Sequence, residues 1–172
     1  MKPGTEDNKF TGTAAIPAQS DPLPVTARME EKAVVVDVDG ERFTEYRFVN
    51  RFNKKPYLWP LAGPLSGKSV TTESSEPYPH HNSAWFGCDH INGYDFWHHQ
   101  NQPESRQVSR GSVIRKVSGD EVVIEDVCDW QPPEGGPVMR DYRRITVSAP
   151  DAETRFLDFA VVWVALDEVR IR

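Results

Sequence analysis

All five histidines of the chain fall between His80 and His99. The stretch PYPHHNSAWFGCDH, Pro77 to His90, holds three of them, and GYDFWHH adds His98 and His99. Histidine is both the side chain that titrates near neutral pH and the commonest metal ligand. Three chemistries are open to such a cluster. The histidines with Asp89 and Asp95 offer nitrogen and oxygen ligands for zinc, iron or nickel, with His80, His81 and His90 as the ligand set, although the spacing matches no established ligand pattern. Alternatively His80 or His81 donates or relays a proton, with Asp95 or Asp89 as the base. In the third reading the cluster only binds: Tyr78, Trp85 and Trp97 present flat apolar faces, while Asn82 and the histidines present hydrogen bonds. That combination suits a sugar ring, apolar on its C–H face and hydroxylated at its rim.

The same residues have plainer uses. His98 and His99 fit a solvated strand end, and Asp95 beside a glycine turn fits a turn cap. Trp97, Trp130 and Trp163 fit core packing. The His80–His81 pair resists such an account, because two adjacent histidines contribute little to a core.

Strands must position these groups. AVVVDV-DG-ERFTEYRFV reads as two β-rich runs joined at Asp39-Gly40, a strong hairpin signal. Pro56, Pro60 and Pro64 forbid a helix over their segment and favour an extended edge strand or ordered loop. In GSVIRKV-SGD-EVVIEDVCDW, the residues Val122, Ile124, Asp126 and Cys128 share one strand face. A long β-branched and aromatic run covers Phe156 to Leu166. Asn92-Gly93 predicts a second hairpin, placing Asp89 or His90 near Asp95 and Phe96, and Trp85 near the far end of the returning strand. His80 and His81 cannot line one pocket from a regular strand, so a loop or bulge is required there. No stretch shows 3.6-residue apolar periodicity. The expected fold class is all-β, an antiparallel β-sandwich of supersandwich or jelly-roll type, either complete or the incomplete part of a larger one.

Residues 1–27 are rich in Pro, Ser, Thr, Asp and Gly and read as a flexible arm, with the β-sandwich domain spanning 28–172. With 172 residues, one domain is expected. A net charge of −6 argues against nucleic acid and anionic lipid as partners. No apolar run approaches the roughly 20 residues that span a bilayer. The first residues lack the apolar stretch of a secretory signal, which gives a cytoplasmic expectation. Cys88 and Cys128 form no CxxC and read as free thiols.

KKPYLWPLAGPLSG, PHHNSAWFGCDHINGYDFW and RGSVIRKVSGDEVVIEDVCDW together resemble, in order and spacing, the DUF6807 or PmoA-like family over about 33–172. The resemblance implies a β-sandwich akin to the galactose-mutarotase-like supersandwiches and a sugar-related setting in bacteria. It carries no defined activity. The methane-oxygenase subunit in the family's name is an integral membrane protein, which this chain cannot be by the same apolar-run argument. The motif positions matched are His80, His81, Trp85, Asn92, Gly93, Asp95, Phe96 and Trp97, so Asn92 joins the binding set. Tyr78 stands where the family's motif has a histidine, which removes one candidate ligand. Family members also continue beyond the point where this chain stops, and the run DEVRIR ends in strand texture. The chain is therefore expected to be the front part of a longer fold, or to cover its sheet edges by homo-oligomerisation.

The expectation that results is a sugar-like small-molecule ligand, catalytic candidates His80, His81 and Asp95, and binding candidates Tyr78, Asn82, Trp85, Asn92 and Trp97. No cofactor is expected. The alternatives are a metal-dependent protein using His80, His81 and His90, and a structural domain that completes its sheet with a partner chain.

Overall fold

The computed structural model describes residues 21–49, 54–98 and 104–172. Among these there is no helix, and the strands form antiparallel sheets not closed into a barrel, an all-β sandwich-like fold. The first sheet follows chain order: β1 (Val25–Met29), β2 (Ala33–Val38), β3 (Glu41–Arg47), β4 (Tyr57–Leu58) and β5 (Ala84–Trp85). A two-stranded ribbon follows, β6 (His90–Ile91) with β7 (Tyr94–Asp95). The second sheet is built on β10 (Glu121–Gln131), which pairs with β8 (Arg106–Ser109) and β9 (Val113–Ser118) on one side. On its other side lie β11 (Met139–Ser148) and then β12 (Phe156–Ala165).

The turn chemistry is as the sequence predicts. Asp39-Gly40 and Asn92-Gly93 both hold positive φ at each position (52° and 80°, 53° and 82°). Two consecutive left-handed residues match the right-handed twist of the strands they join, which is why Asp-Gly and Asn-Gly serve there.

Alternation sets the core. On β10 the residues Val122, Ile124, Asp126, Cys128 and Trp130 are all buried. The first two join Ile145 and Val147 of β11 and meet Val34, Val36, Val38, Phe43, Tyr46 and Leu58 from the first sheet. A second cluster, Ile91, Phe96, Trp130 and Met139, lies beneath the β6–β7 ribbon. Phe86 and Trp163 pack against it and meet each other edge to face.

Between the sheets runs a buried polar network. The Arg143 guanidinium donates to both oxygens of Asp141 (2.6 and 2.8 Å) and to Gln107, and Trp130 Nε1 donates to Asp141 at 2.7 Å. Tyr46 donates to Asp126 at 2.8 Å, and so does Ser109 at 2.7 Å. Burial opposes the charge on Arg143, yet Tyr46 and the hydrogen-bonded Asp141 hold its pKa well above the usual value. A buried ion pair of this kind is tolerated only when its remaining hydrogen-bonding capacity is met.

Four features differ from expectation or refine it. The folded part begins before residue 28: Val25 is buried in β1, and the Leu23 and Val25 N–H groups donate to Ala149 and Gly119 carbonyls. Pro22 and Pro24 disguise this start, while residues 1–20 of the expected arm lie outside the described residues. The proline-spaced segment is neither an edge strand nor a loop throughout. Tyr57–Leu58 forms a two-residue interior strand between β3 and β5, confined by Pro56 and Pro60. The run from Phe156 forms β12 as far as Ala165, while the strand texture of DEVRIR amounts to a single bridge from Ile171 to Ile91 of the ribbon. Cys88 and Cys128 are free thiols; burial pushes the Cys128 thiol far up, and it donates to Asp126.

Candidate functional site

The loop from Val70 to Ser83 carries the first half of the site, and Glu73 fixes it. Its carboxylate accepts from Tyr57 at 2.7 Å and from Arg47, and its carbonyl accepts from Asn82 Nδ2 at 2.7 Å. Asn82 is buried, and its Oδ1 has no hydrogen-bond partner among the described residues. Ser83 then takes a left-handed backbone (φ 57°), which redirects the chain from the histidine pair into β5.

This irregular backbone lets His80 and His81 converge, as a regular strand would not. Their rings meet edge to face at 4.5 Å between centroids. The exposed Tyr78 ring stacks on His81 at 5.2 Å and 24°. Behind them Trp97 presents its indole to both imidazoles at about the same distance, 6.5 Å from His80 and 6.4 Å from His81. His98 lies 4.8 Å from His80. His80 itself is buried, and its pKa is lowered, first by burial and then by the neighbouring His81, His98 and Lys55. A neutral imidazole is thus favoured at His80 near neutral pH.

Trp85 and Trp97 meet at 4.3 Å and 68°. Lys55 sits among them with its Nζ 3.4 Å from the Trp85 centroid, and it donates to the Trp97 carbonyl at 3.1 Å. Burial, aided by the adjacent Lys54 charge, brings the Lys55 pKa down to about 7. Gly87 makes the arrangement possible: a Cβ there would lie 2.2 Å from Trp85 Cζ3.

Asp95 opens the returning arm. Its Oδ1 accepts the backbone N–H of Trp97 (2.8 Å) and of His98 (2.9 Å), and His98 Nδ1 lies 3.1 Å from Oδ2. Lys54 Nζ is 3.9 Å from Oδ1 and donates to the Asp95 carbonyl at 2.5 Å. The carboxylate is buried and shapes the turn that points His98 toward His80.

The residues singled out in the sequence therefore separate into two groups. His80, His81, Tyr78, Trp97 and Trp85 form one continuous aromatic patch, with Asn82 and Asp95 buried beside it. Asn92 and His90 stand apart. The Asn92 side chain donates to the Glu168 carbonyl and accepts from Arg170 N–H, tying the C-terminal segment to the ribbon. His90 Nδ1 lies 2.9 Å from Asp89 and its ring lines an open groove with Asn92, Arg170 and Arg172. The ligand set His80, His81 and His90 is not assembled: among the described residues the converging trio is Asp89, Asp95 and His98.

Lys54, Lys55, Gly87 and His98 carry no role in the sequence reading. His98, expected at a solvated strand end, instead packs against His80 and Asp95; His99 lies outside the described residues. The signal for the lysines is a Lys54-Lys55 pair running straight into the apolar PYLWP, where a charge has little water to face.

No curated protein and no solved structure matches this chain. A family model does match, over residues 33–172, and those residues contain the whole aromatic–histidine patch. The chain belongs to DUF6807, a family of unknown function.

Proposed function

We propose that the patch formed by Tyr78, His80, His81 and Trp97 binds a small polar molecule with an apolar ring face, of the carbohydrate type. The observation that carries this reading is the stacking of the exposed Tyr78 on His81 beside the neutral, buried His80. Aromatic faces offer a surface for ring C–H groups, and the imidazoles offer directional hydrogen bonds to hydroxyls. Were the ligand to react, His80 or His81 would exchange a proton with a hydroxyl or anomeric oxygen of the sugar, since an imidazole switches protonation readily near neutrality. Asp95, with Oδ1 engaged by two backbone N–H groups and Oδ2 beside His98, then serves to orient rather than to act as the base.

The test is a thermal-shift panel of mono- and disaccharides, in which a ligand that binds only the native state raises the melting temperature by mass action. At least one sugar should stabilise the protein, and His81→Ala should abolish that shift without altering the melt of the unliganded protein. Absence of any shift across the panel, or a shift that survives His81→Ala, overturns the reading.

A second reading rests on a different observation. Among the described residues β12 has a neighbour only in β11, and its ten residues include no lysine or proline to guard the free edge. Val162 and Phe156 are more than half exposed on it. Antiparallel pairing of β12 with a second copy about Val161 would set Asp158 opposite Val164, so no like charges would meet. Light scattering should then report a dimer, and a strict monomer at high concentration excludes it.

A further inference from the structure

We propose, building on the carbohydrate reading of the Tyr78–His81 patch, that the sugar it takes carries a carboxylate. His80 and His81 receive that group, and one of the two imidazoles gains a proton from solvent as the complex forms.

The geometry is a row of three imidazoles backed by lysine. His80 stands at the centre, its ring 4.5 Å from that of His81 and 4.8 Å from that of His98. Around it stand Tyr78 and His81 from its own loop, Asp95, Trp97 and His98 from the returning arm, and Lys55 from the segment entering β4. His81, His98 and Lys55 each oppose a proton on His80, while Asp95 favours one. Asp95 is also shared: its carboxylate accepts from the Trp97 and His98 N–H groups and lies 3.9 Å from Lys54 Nζ. Asp89 lies beside His90 at 2.9 Å and His98 at 3.6 Å. Two lysines and three of the five histidines thus gather at one place in a chain of net charge −6.

An anion changes what this row can do. A neutral sugar meets His80 as a neutral imidazole and forms ordinary hydrogen bonds with it. A negative charge within about 4–6 Å favours the charged form of an imidazole. Its arrival therefore turns those bonds into charge-assisted ones, which are roughly twice as strong. Lys54 and Lys55 add to this from beneath, since enclosed charges are screened by salt much less than surface ones. His81 is exposed and the exposed Tyr78 stacks on it, so a carboxylate reaches the row at His81 while the sugar's C–H face rests on Tyr78. A carboxylate suits the row better than a phosphate, for which the guanidinium fork is the preferred partner. Arg47, on the strand that pairs with β4, is engaged by Glu45 and Glu73.

The test is calorimetric titration of the full chain with glucuronate and galacturonate, each set beside glucose and galactose. Carboxyl groups stay ionised across about pH 5.5–8, so the ligand itself does not titrate in that window. At least one acid should bind about fivefold or more tightly than its neutral partner near neutral pH. Its affinity should fall as pH rises, by at most about tenfold per unit, because the complex holds the extra proton. The binding enthalpy in PIPES, HEPES and Tris should vary with buffer ionisation as proton uptake requires. His80→Gln and His81→Gln should each reduce the acid's advantage to less than about twofold. His81 is exposed, so its variant decides the matter if a melting curve shows His80→Gln to be unstable. Lys55 titrates at about 7 with the same sign, so uptake is also measured in Lys55→Met, where it should persist. Neutral sugars that bind as tightly as the acids, or acids that bind without proton uptake, overturn the proposal and leave the carbohydrate reading standing. So do uptake lost only in Lys55→Met, wild-type acid preference in His81→Gln, and tighter binding of glucose 6-phosphate than of glucuronate. Silence from every sugar, charged and neutral, overturns both.

Discussion

Lys55 and Trp85 form a buried cation–π pair, with the ammonium nitrogen 3.4 Å from the indole centroid. The lysine is almost wholly enclosed at 1% exposure, and Trp97 closes the other side with its ring 5.4 Å away. Enclosure penalises the charge, while the indole faces and the Trp97 carbonyl partly replace lost water. The floor of the aromatic patch is therefore also a titrating group.

A pH dependence follows from that pair. Burial sets the folded pKa of Lys55 at about 7, whereas an unfolded lysine titrates near about 10.4. Between these values the unfolded chain binds more protons, so the contribution of Lys55 to stability rises with pH. The stability of wild type relative to Lys55→Met should grow between about pH 7 and pH 9.5, by at most about 1.4 kcal/mol per pH unit. Urea unfolding of both proteins across that range measures it. A difference that stays flat would mean that Lys55 remains charged in its enclosure.

Gly87 is the contact that seats Trp85. A Cβ at that position would come within 2.2 Å of the ring, so Gly87→Ala must displace the indole from Lys55 and Trp97. The expected cost is about 1–3 kcal/mol, in the range for overpacking. Near-ultraviolet circular dichroism should change with it, because the Trp85–Trp97 contact is altered. An unchanged spectrum with unchanged stability would show that the backbone yields instead of the ring.

The Arg143 network should be intolerant of losing one partner. Arg143→Met leaves Asp141 buried beside Trp130 without its cation, and removes the donors to Gln107. The expected destabilisation is about 3–5 kcal/mol by denaturant titration, with Asp141→Asn added to the same chain recovering part of it. Equal stability of the single and double variants would deny the coupling.

Asn92 should behave as a structural tie. Asn92→Ala removes both hydrogen bonds to the segment Glu168–Arg170 and places alanine at a positive φ. A loss of about 1–3 kcal/mol is expected, with faster amide exchange at Arg170 and Arg172 and none at the β10–β11 ladder. Any sugar-induced thermal shift should survive. Its loss would return Asn92 to the binding set.

Much of this architecture is legible along the chain because it is local. A two-residue turn with left-handed φ is written in Asp39-Gly40 and Asn92-Gly93. The buried face of β10 is written in every second residue from Val122 to Cys128. The family motif marks His80, His81 and Trp97 as belonging together, and the need for irregular backbone at the histidine pair follows from strand alternation alone. The tertiary structure decided what depends on chain segments far apart. Lys55 meets the Trp97 carbonyl across 42 positions, and Arg143 meets Tyr46 across 97. The Lys54-Lys55 pair running into PYLWP hints at burial without naming the partner, and the net charge of a core network has no local signature, because both partners and charge balance depend on how the sheets and loops pack. His98 illustrates the limit. Beside His99 it reads as a solvated end, and only the turn capped by Asp95, three residues earlier, aims its ring at His80 and its Nδ1 at two carboxylates.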